Sequence, residues 1–506
     1  MLQGGSYVGR QASAESRAYE NAFPRAAAAV VDALGRTDRR RMAVFQRRPQ
    51  GVLPCKRRRT QTGKRPHANP ERASAPNHGA RQSHHAQRGF WDYAIVSIPE
   101  SGNGSKWRKS AAVLTRDEAV QAVKEAAIPE TFDGKILVPF SPESALSGVH
   151  QTIYPDNMIW YRTVVHPVTL GGGEAVRQIG DANRLVLHFE AVDYVCACFI
   201  NGQFAGMHVG GYLPFDVDIS AFVDPDDAFE IALCVYDPND SGTQMRGKQK
   251  IEREGIWYTA QSGIWQSVWM EIVPEAYVQT LTLKGAADGR LFIRAEIGGD
   301  KPNAKLHIVV ADPADGTIVA DELLPAGMRK VRTEIATRAE HLWSPNDPYL
   351  YDVTATLEFG AAKSQGKQEK LQQESQEIQE KPAKSQEKQD IVRSYCAFRT
   401  VEIKPDLKGI ARFHLNGKPV FLKGVLDQGY WPDGLLTAPS DEALVHDITA
   451  MKESGFTMLR KHIKIESARW YYHCDRLGML VWQDAVSGGG EYNAWATNRK
   501  PTLMRA

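Results

Sequence analysis

Three apolar runs near the carboxyl end of this 506-residue chain each finish in side chains that can bond or ionise. Phe421-Leu-Lys-Gly-Val-Leu ends in Asp427 and Gln428; Thr457-Met-Leu runs into Arg460, Lys461 and His462; Met479-Leu-Val ends in Trp482, Gln483 and Asp484. Carboxylates, a guanidinium, an imidazole, an amide and an indole in this arrangement supply hydrogen bonding, ion pairing and an apolar ring face. The same residue types also fit a plainer reading, in which Arg460 pairs with Asp484 inside the mouth of the fold. Lys461 and Lys464 read as solvated or acid-paired. Glu491 follows the third run too closely to belong to such a set and reads as a loop residue.

The segments between these runs must hold the polar ends at one face. Ser440 can cap a helix whose first turn carries Asp441 and Glu442, which suits the positive end of a helix. Leu444, Ile448 and Met451 follow at helical spacing, and Gly455 can end the helix at C′. A second helix is expected over about 467–477, with Trp470, Cys474 and Leu477 on one face and Gly478 as its stop. Strand, helix, strand, helix, strand, with polar residues at each strand's carboxyl end, is the order of a (β/α)₈ barrel, whose chemistry sits at that face. Such a barrel takes eight units, and about three precede the last residue given. A hairpin, Arg412-Phe-His-Leu415 turning at Asn416-Gly417, leads into the first run.

Upstream the pattern changes. From Phe90-Trp91 to about Ile272, short alternating runs separated by turn residues suggest a β-sandwich. Arg184 to Phe189 is one strand and Tyr194 to Ile200 another; Asn201-Gly202 then favours the positive φ angles of a type I′ turn, so Gln203 to His208 should return beside it. A second β-rich unit, about 274–404, contains the runs starting at Leu291, Lys305 and Tyr351 and has the size of an immunoglobulin-like sandwich. Its Gln/Lys/Glu/Ser-rich tract, 363–390, lacks an apolar stripe and reads as a disordered insert between two strands. Residues 1–88 are rich in Arg, Gln, Ala and His and read as a disordered basic extension; a nucleic-acid arm is the alternative for that segment.

The whole-chain figures exclude some classes. A formal net charge of +2, with 42% hydrophobic and 24% charged residues, gives no global case for a nucleic-acid or membrane partner. No apolar run approaches the roughly 18 residues that span a bilayer. Six scattered cysteines do not make a disulfide framework, and Cys196 and Cys198 read as buried small hydrophobes rather than a metal pair. A cytoplasmic location is the default.

In order along the chain, the stretches Ile136-Leu-Val-Pro-Phe-Ser-Pro-Glu-Ser144, Ile200-Asn-Gly-Gln203, Gly210-Gly-Tyr-Leu-Pro-Phe215 and Ser262-Gly-Ile-Trp-Gln266 are distinctive. Leu342-Trp-Ser-Pro345, Asn416-Gly-Lys-Pro419, Phe421-Leu-Lys-Gly424, Met458-Leu-Arg-Lys-His462 and Trp482-Gln-Asp484 continue the series. Together they resemble glycoside hydrolase family 2, which includes β-galactosidases, β-glucuronidases and β-mannosidases. The resemblance implies a multidomain, mostly β chain. Its parts would be a galactose-binding-like jelly-roll sandwich (89–273), an immunoglobulin-like sandwich (274–404) and the first three or so βα units of an incomplete TIM barrel (405–506). It implies a retaining glycosidase acting without a cofactor on O-glycosidic bonds of non-reducing β-linked sugars. Family members use two barrel glutamates, and both positions are expected to lie beyond Ala506, so no catalytic residue is assigned and this chain alone is expected to be inactive. Asp427, Gln428, Arg460, His462, Trp482 and Asp484 would line the sugar pocket. His208 and Tyr212 resemble family positions but suit packing roles, and Trp257 and Trp265 suit the seam between sandwich and barrel. Where the galactosidase branch has an acidic residue, this chain has Ser267, so no metal site is carried over. The expected partner is a carbohydrate, with a homo-oligomer compatible; a non-catalytic carbohydrate-binding protein is the alternative.

Overall fold

In a computed structural model, residues 85–86, 89–98, 114–170, 174–241, 244–360 and 388–486 are described. The basic extension (apart from residues 85–86), most of the low-complexity tract and Glu491 lie outside the described residues. What is described is mostly β and falls into three successive bodies.

The first body stacks two antiparallel sheets. One has six strands in the order Gly134–Val138, Gly89–Ser97, Asn157–Val165, Phe229–Tyr236, Val195–Ile200, Gln203–Val209. The other runs His85–Ala86, Val268–Pro274, Asn183–Phe189, Phe215–Asp218. Between them lies a core that includes Trp91, Tyr161, Leu187, Phe189, Leu233 and Met270. Cys196 and Cys198 point into this core as free buried thiols. The expected turn forms: Asn201 and Gly202 have φ of 49° and 76°, and Ile200 pairs with Gln203. The helix Arg116–Glu125, closed by a Thr115/Glu118 capping box, covers the outer face of the six-stranded sheet.

The second body opposes a three-stranded sheet (Tyr277–Gly285, Arg290–Gly298, Lys330–Ala336) to a four-stranded one (Ile318–Pro325, Lys305–Ala311, Tyr351–Phe359, Lys388–Cys396). Tyr351–Phe359 alternates strictly between buried and half-buried residues, the period-two signature of a strand with one face on a core. Its partner begins at Lys388, three residues inside the tract read as an insert. The Asp390 carboxylate is buried and accepts from the Val278 amide (2.8 Å).

The third body starts with a small sheet, Val401–Pro405, Ala411–Leu415 and Lys418–Pro419, turning at Asn416-Gly417 with φ of 52° and 76°. Then come β1 (Gly424–Asp427), α1 (Asp441–Glu453), β2 (Met458–Lys461), α2 (Ala468–Leu477) and β3 (Leu480–Gln483). The strands are parallel and level: Asp427 pairs with Lys461, and Lys461 with Gln483. Ser440 caps α1 by accepting from the Ala443 amide (3.2 Å), and Gly478, at φ 74°, ends α2. Leu444, Ile448, Trp470 and Cys474 of the helices close over Leu459 and Met479.

Candidate functional site

The pleat divides the polar strand ends between two faces. Leu459 packs under the helices, so Lys461 and, by register, Asp427 and Gln483 share the helix side. Leu426, Arg460 and Trp482 lie in one row across the open face, and His462 and Asp484 continue that face beyond the strand ends. Leu426 is 51% exposed and Trp482 45%.

On the open face three of the expected residues form one cluster. Arg460 meets Asp484 through Nε (2.9 Å to Oδ2) and Nη2 (2.9 Å), and His462 Nδ1 lies 2.7 Å from Asp484 Oδ2. Partial burial opposes ionisation of Asp484, but these two partners hold its carboxyl below the usual range. The Arg460–Asp484 pairing read as the plainer alternative is therefore present. It leaves Arg460 Nη1 and His462 Nε2 at the open face. Trp482 sits beside them with Phe413 edge-on to its ring at 5.7 Å. Gln428 is half-buried, and its Oε1 is enclosed without a hydrogen-bond partner.

Asp427 is at the same end of the sheet, but its carboxylate is turned into the protein. Oδ1 accepts from the Gly429 amide (2.8 Å) and from Lys461 Nζ (2.8 Å). Lys461 is fully buried, lies over the Trp470 ring at 4.1 Å, and shares Glu466 Oε1 (3.0 Å) with Lys464 (2.7 Å). Both lysines are thus acid-paired, not solvated. Burial opposes the charge on Glu466, yet two adjacent ammonium groups keep its carboxyl below the usual range. Glu466 went unnoticed in the sequence; the Lys461, Lys464, Glu466 spacing just after a strand was the available signal.

The sandwich completes the surroundings. Trp265 donates from Nε1 to the Gly211 carbonyl (2.7 Å) and packs with Tyr212, Leu436 and Val486, so it lies at the seam with the third body. Tyr212 accepts from Gln249 Nε2 (3.1 Å). His208 stacks on Phe215 at 4.2 Å, and burial pushes its imidazole down to about 4. Both have packing roles. Lys250 lies 4.9 Å from the centre of the Trp257 ring. Ser267 Oγ accepts from Arg469 (3.3 Å). Beside it, a cleft lined by Pro139, Glu190, Thr437 and Asp441 has about 30 Å³, room for water rather than a sugar ring. Among the described residues no group of three or more His, Cys, Asp or Glu side chains is arranged to hold a metal ion, and no helix is long and apolar enough to cross a membrane.

Residues 174–274, about the second half of the first sandwich, match the sugar binding domain of glycosyl hydrolases family 2. Over that stretch the chain is similar to the family 2 glycosyl hydrolases. Among curated proteins it is 25% identical over 341 residues to a putative β-glucuronidase of Formosa agariphila, covering 65% of this chain and 36% of that protein. It is 24% identical over 316 residues to a β-galactosidase of Thermoanaerobacter pseudethanolicus, covering 60% and 37%. The chain thus spans little more than a third of the length of these relatives. Among solved structures, the β-glucuronidase of Ruminococcus gnavus in complex with D-glucuronic acid aligns with TM-score 0.56 at 18% identity, over 81% of this chain and 62% of that one. The β-glucuronidase of Bacteroides uniformis aligns with TM-score 0.53 at 21% identity, over 80% and 42%. At these identities the structural likeness speaks for the fold.

Proposed function

We propose that this chain supplies the jelly-roll sandwich, the immunoglobulin-like sandwich and the first three barrel units of a family 2 β-glycosidase, with a sugar-binding rim at the carboxyl ends of β1 to β3. The observation that carries the reading is the Arg460–Asp484–His462 cluster on the open face of three level parallel strands, in a chain whose sandwich matches a sugar-binding family. Arg460 Nη1 can donate to a sugar oxygen, and His462, oriented by Asp484 at Nδ1, presents Nε2 to a hydroxyl. Trp482 offers an apolar ring face to a pyranose. The relatives named β-glucuronidase and β-galactosidase support a β-linked sugar as the class of ligand. The cytoplasm is the proposed compartment, in keeping with the free, buried state of the five cysteines among the described residues.

Bond cleavage with retention needs two carboxyl groups about 5–5.5 Å apart, one to attack and one to protonate the leaving oxygen. Among the described residues, the open face at the rim carries Asp484 alone, and its bonds to Arg460 and His462 hold its carboxyl below the usual range, unfit to give up a proton near neutrality. Asp427 faces the other way, bound to Lys461. The reading is therefore binding by these residues and chemistry elsewhere in a complete barrel. Chromogenic β-galactoside, β-glucuronide, β-mannoside and β-glucoside should stay at background with this chain. Turnover that vanishes in Asp484→Asn would contradict the assignment.

A further inference from the structure

Loop 428–437, between β1 and α1, leaves the sheet at Asp427 and reaches the sandwich. The Leu436 amide donates to Gln261 Oε1 (3.0 Å), Thr437 Oγ1 donates to the Trp265 carbonyl (2.6 Å), and the Leu146 amide donates to the Asp433 carbonyl (3.0 Å). The Tyr430 ring stacks on Tyr258 at 4.1 Å. Trp431 and Leu435 exchange backbone hydrogen bonds (2.7 and 3.1 Å) that narrow the loop's waist.

Lys464 lies beneath both ends of this loop, fully buried. Its ammonium reaches the Gly429 carbonyl (2.8 Å), the Leu436 carbonyl (2.6 Å) and Glu466 Oε1 (2.7 Å), which uses all three N–H donors. A lysine needed only to balance Glu466 would not have to bond two carbonyls seven positions apart in sequence, since Lys461 already meets that carboxylate.

We propose that Lys464 is a positioning residue for the sugar rim: it clasps both ends of loop 428–437 and thereby fixes the wall that the sandwich and the barrel strands build together beside Arg460, His462 and Asp484. The proposal rests on the reading of that rim as a sugar site. Charge balance separates the clasp from simple stabilisation. Lys461 and Lys464 oppose Asp427 and Glu466, so Lys464→Met strands a buried negative charge, whereas Lys464→Met/Glu466→Gln leaves Lys461 paired with Asp427.

The test uses the full chain, with thermal unfolding and amide hydrogen exchange of peptides covering 428–437. The single variant should melt earlier and exchange at least about tenfold faster in the loop, as expected for lost hydrogen bonds to a charged group. The double variant should regain most of the melting temperature but keep the fast loop exchange, and saturation transfer to methyl β-glycosides should weaken with it. If the single variant fails to fold, the double variant alone decides. Loop protection restored together with stability would overturn the clasp, reducing Lys464 to charge balance. A wild-type chain that transfers no saturation to any sugar would instead overturn the rim reading, while loop exchange still decides on the clasp.

Discussion

Buried acids set the behaviour of individual residues near the seam. Glu143 lies wholly inside the sandwich, where its oxygens accept from the Ile153 amide (3.4 Å) and the Ser262 amide (3.1 Å). Loss of water, opposed by those amides and aided by the nearby Asp237, pushes its carboxyl up to about 8. Asp237 is itself raised to about 6 by burial, and Asp193 is raised by burial with Asp237 and Glu143 nearby. The sign follows from linkage. In the unfolded chain Glu143 ionises near 4.5, while in the fold it stays protonated to about 8, so its contribution is intact below pH 4.5 and is lost progressively as pH rises toward 8. Each such proton gives a slope approaching about 1.4 kcal/mol per pH unit. Urea unfolding between pH 5 and 8 should show stability falling with pH, and Glu143→Gln should flatten that fall by about one proton. An unchanged slope in the variant would show that Glu143 is ionised in the fold.

At the scale of elements, β1 and the loop after it depend on one glycine. Gly429 has φ 57°, and a Cβ there would lie 2.2 Å from Glu466 Oε1, 2.9 Å from Lys464 Nζ and 3.0 Å from Lys461 Nζ. Gly429→Ala should therefore cost about 2 kcal/mol or more, from the left-handed backbone and the displaced charges together. A denaturant midpoint equal to wild type would contradict this packing. The elements themselves were legible where their signals are local. Ser440 with Asp441 and Glu442, Gly478 after Leu477, and Asn201-Gly202 act within a few residues, and each sits where its chemistry places it. Lys388 to Asp390 were hidden because composition averages over a window, while this strand exists through pairing with Leu357, Glu358 and Phe359. The turn of Asp427 away from the open face was hidden for a related reason. Its carboxylate is held by Lys461, which meets it only once β1 and β2 are side by side and which is shared with Glu466.

Across the whole molecule, the two sandwiches hold the parallel unit at opposite ends, the first at the loop after β1 and the second at the last turn of α2. The sandwich delivers Gln261 and Trp265 to loop 428–437. The second body grips α2, with Arg399 (2.8 Å) and Tyr395 (3.0 Å) on the Asp475 carboxylate and Trp343 Nε1 on the Asp475 carbonyl (2.7 Å). A mostly β, multidomain chain was readable from motifs scattered along the sequence, whereas the contacts between its bodies join residues up to 298 positions apart, as between Thr437 and Pro139. On the function proposed above, the open row of Leu426, Arg460 and Trp482 is the surface that a sugar would meet. Saturation-transfer NMR of methyl β-glucuronide and methyl β-galactoside, with wild type, Arg460→Ala and Asp484→Asn, tests that claim most directly. The account predicts transfer from the wild-type chain to at least one sugar and its loss in both variants. No transfer from the wild type, or transfer untouched by Arg460→Ala, would contradict it.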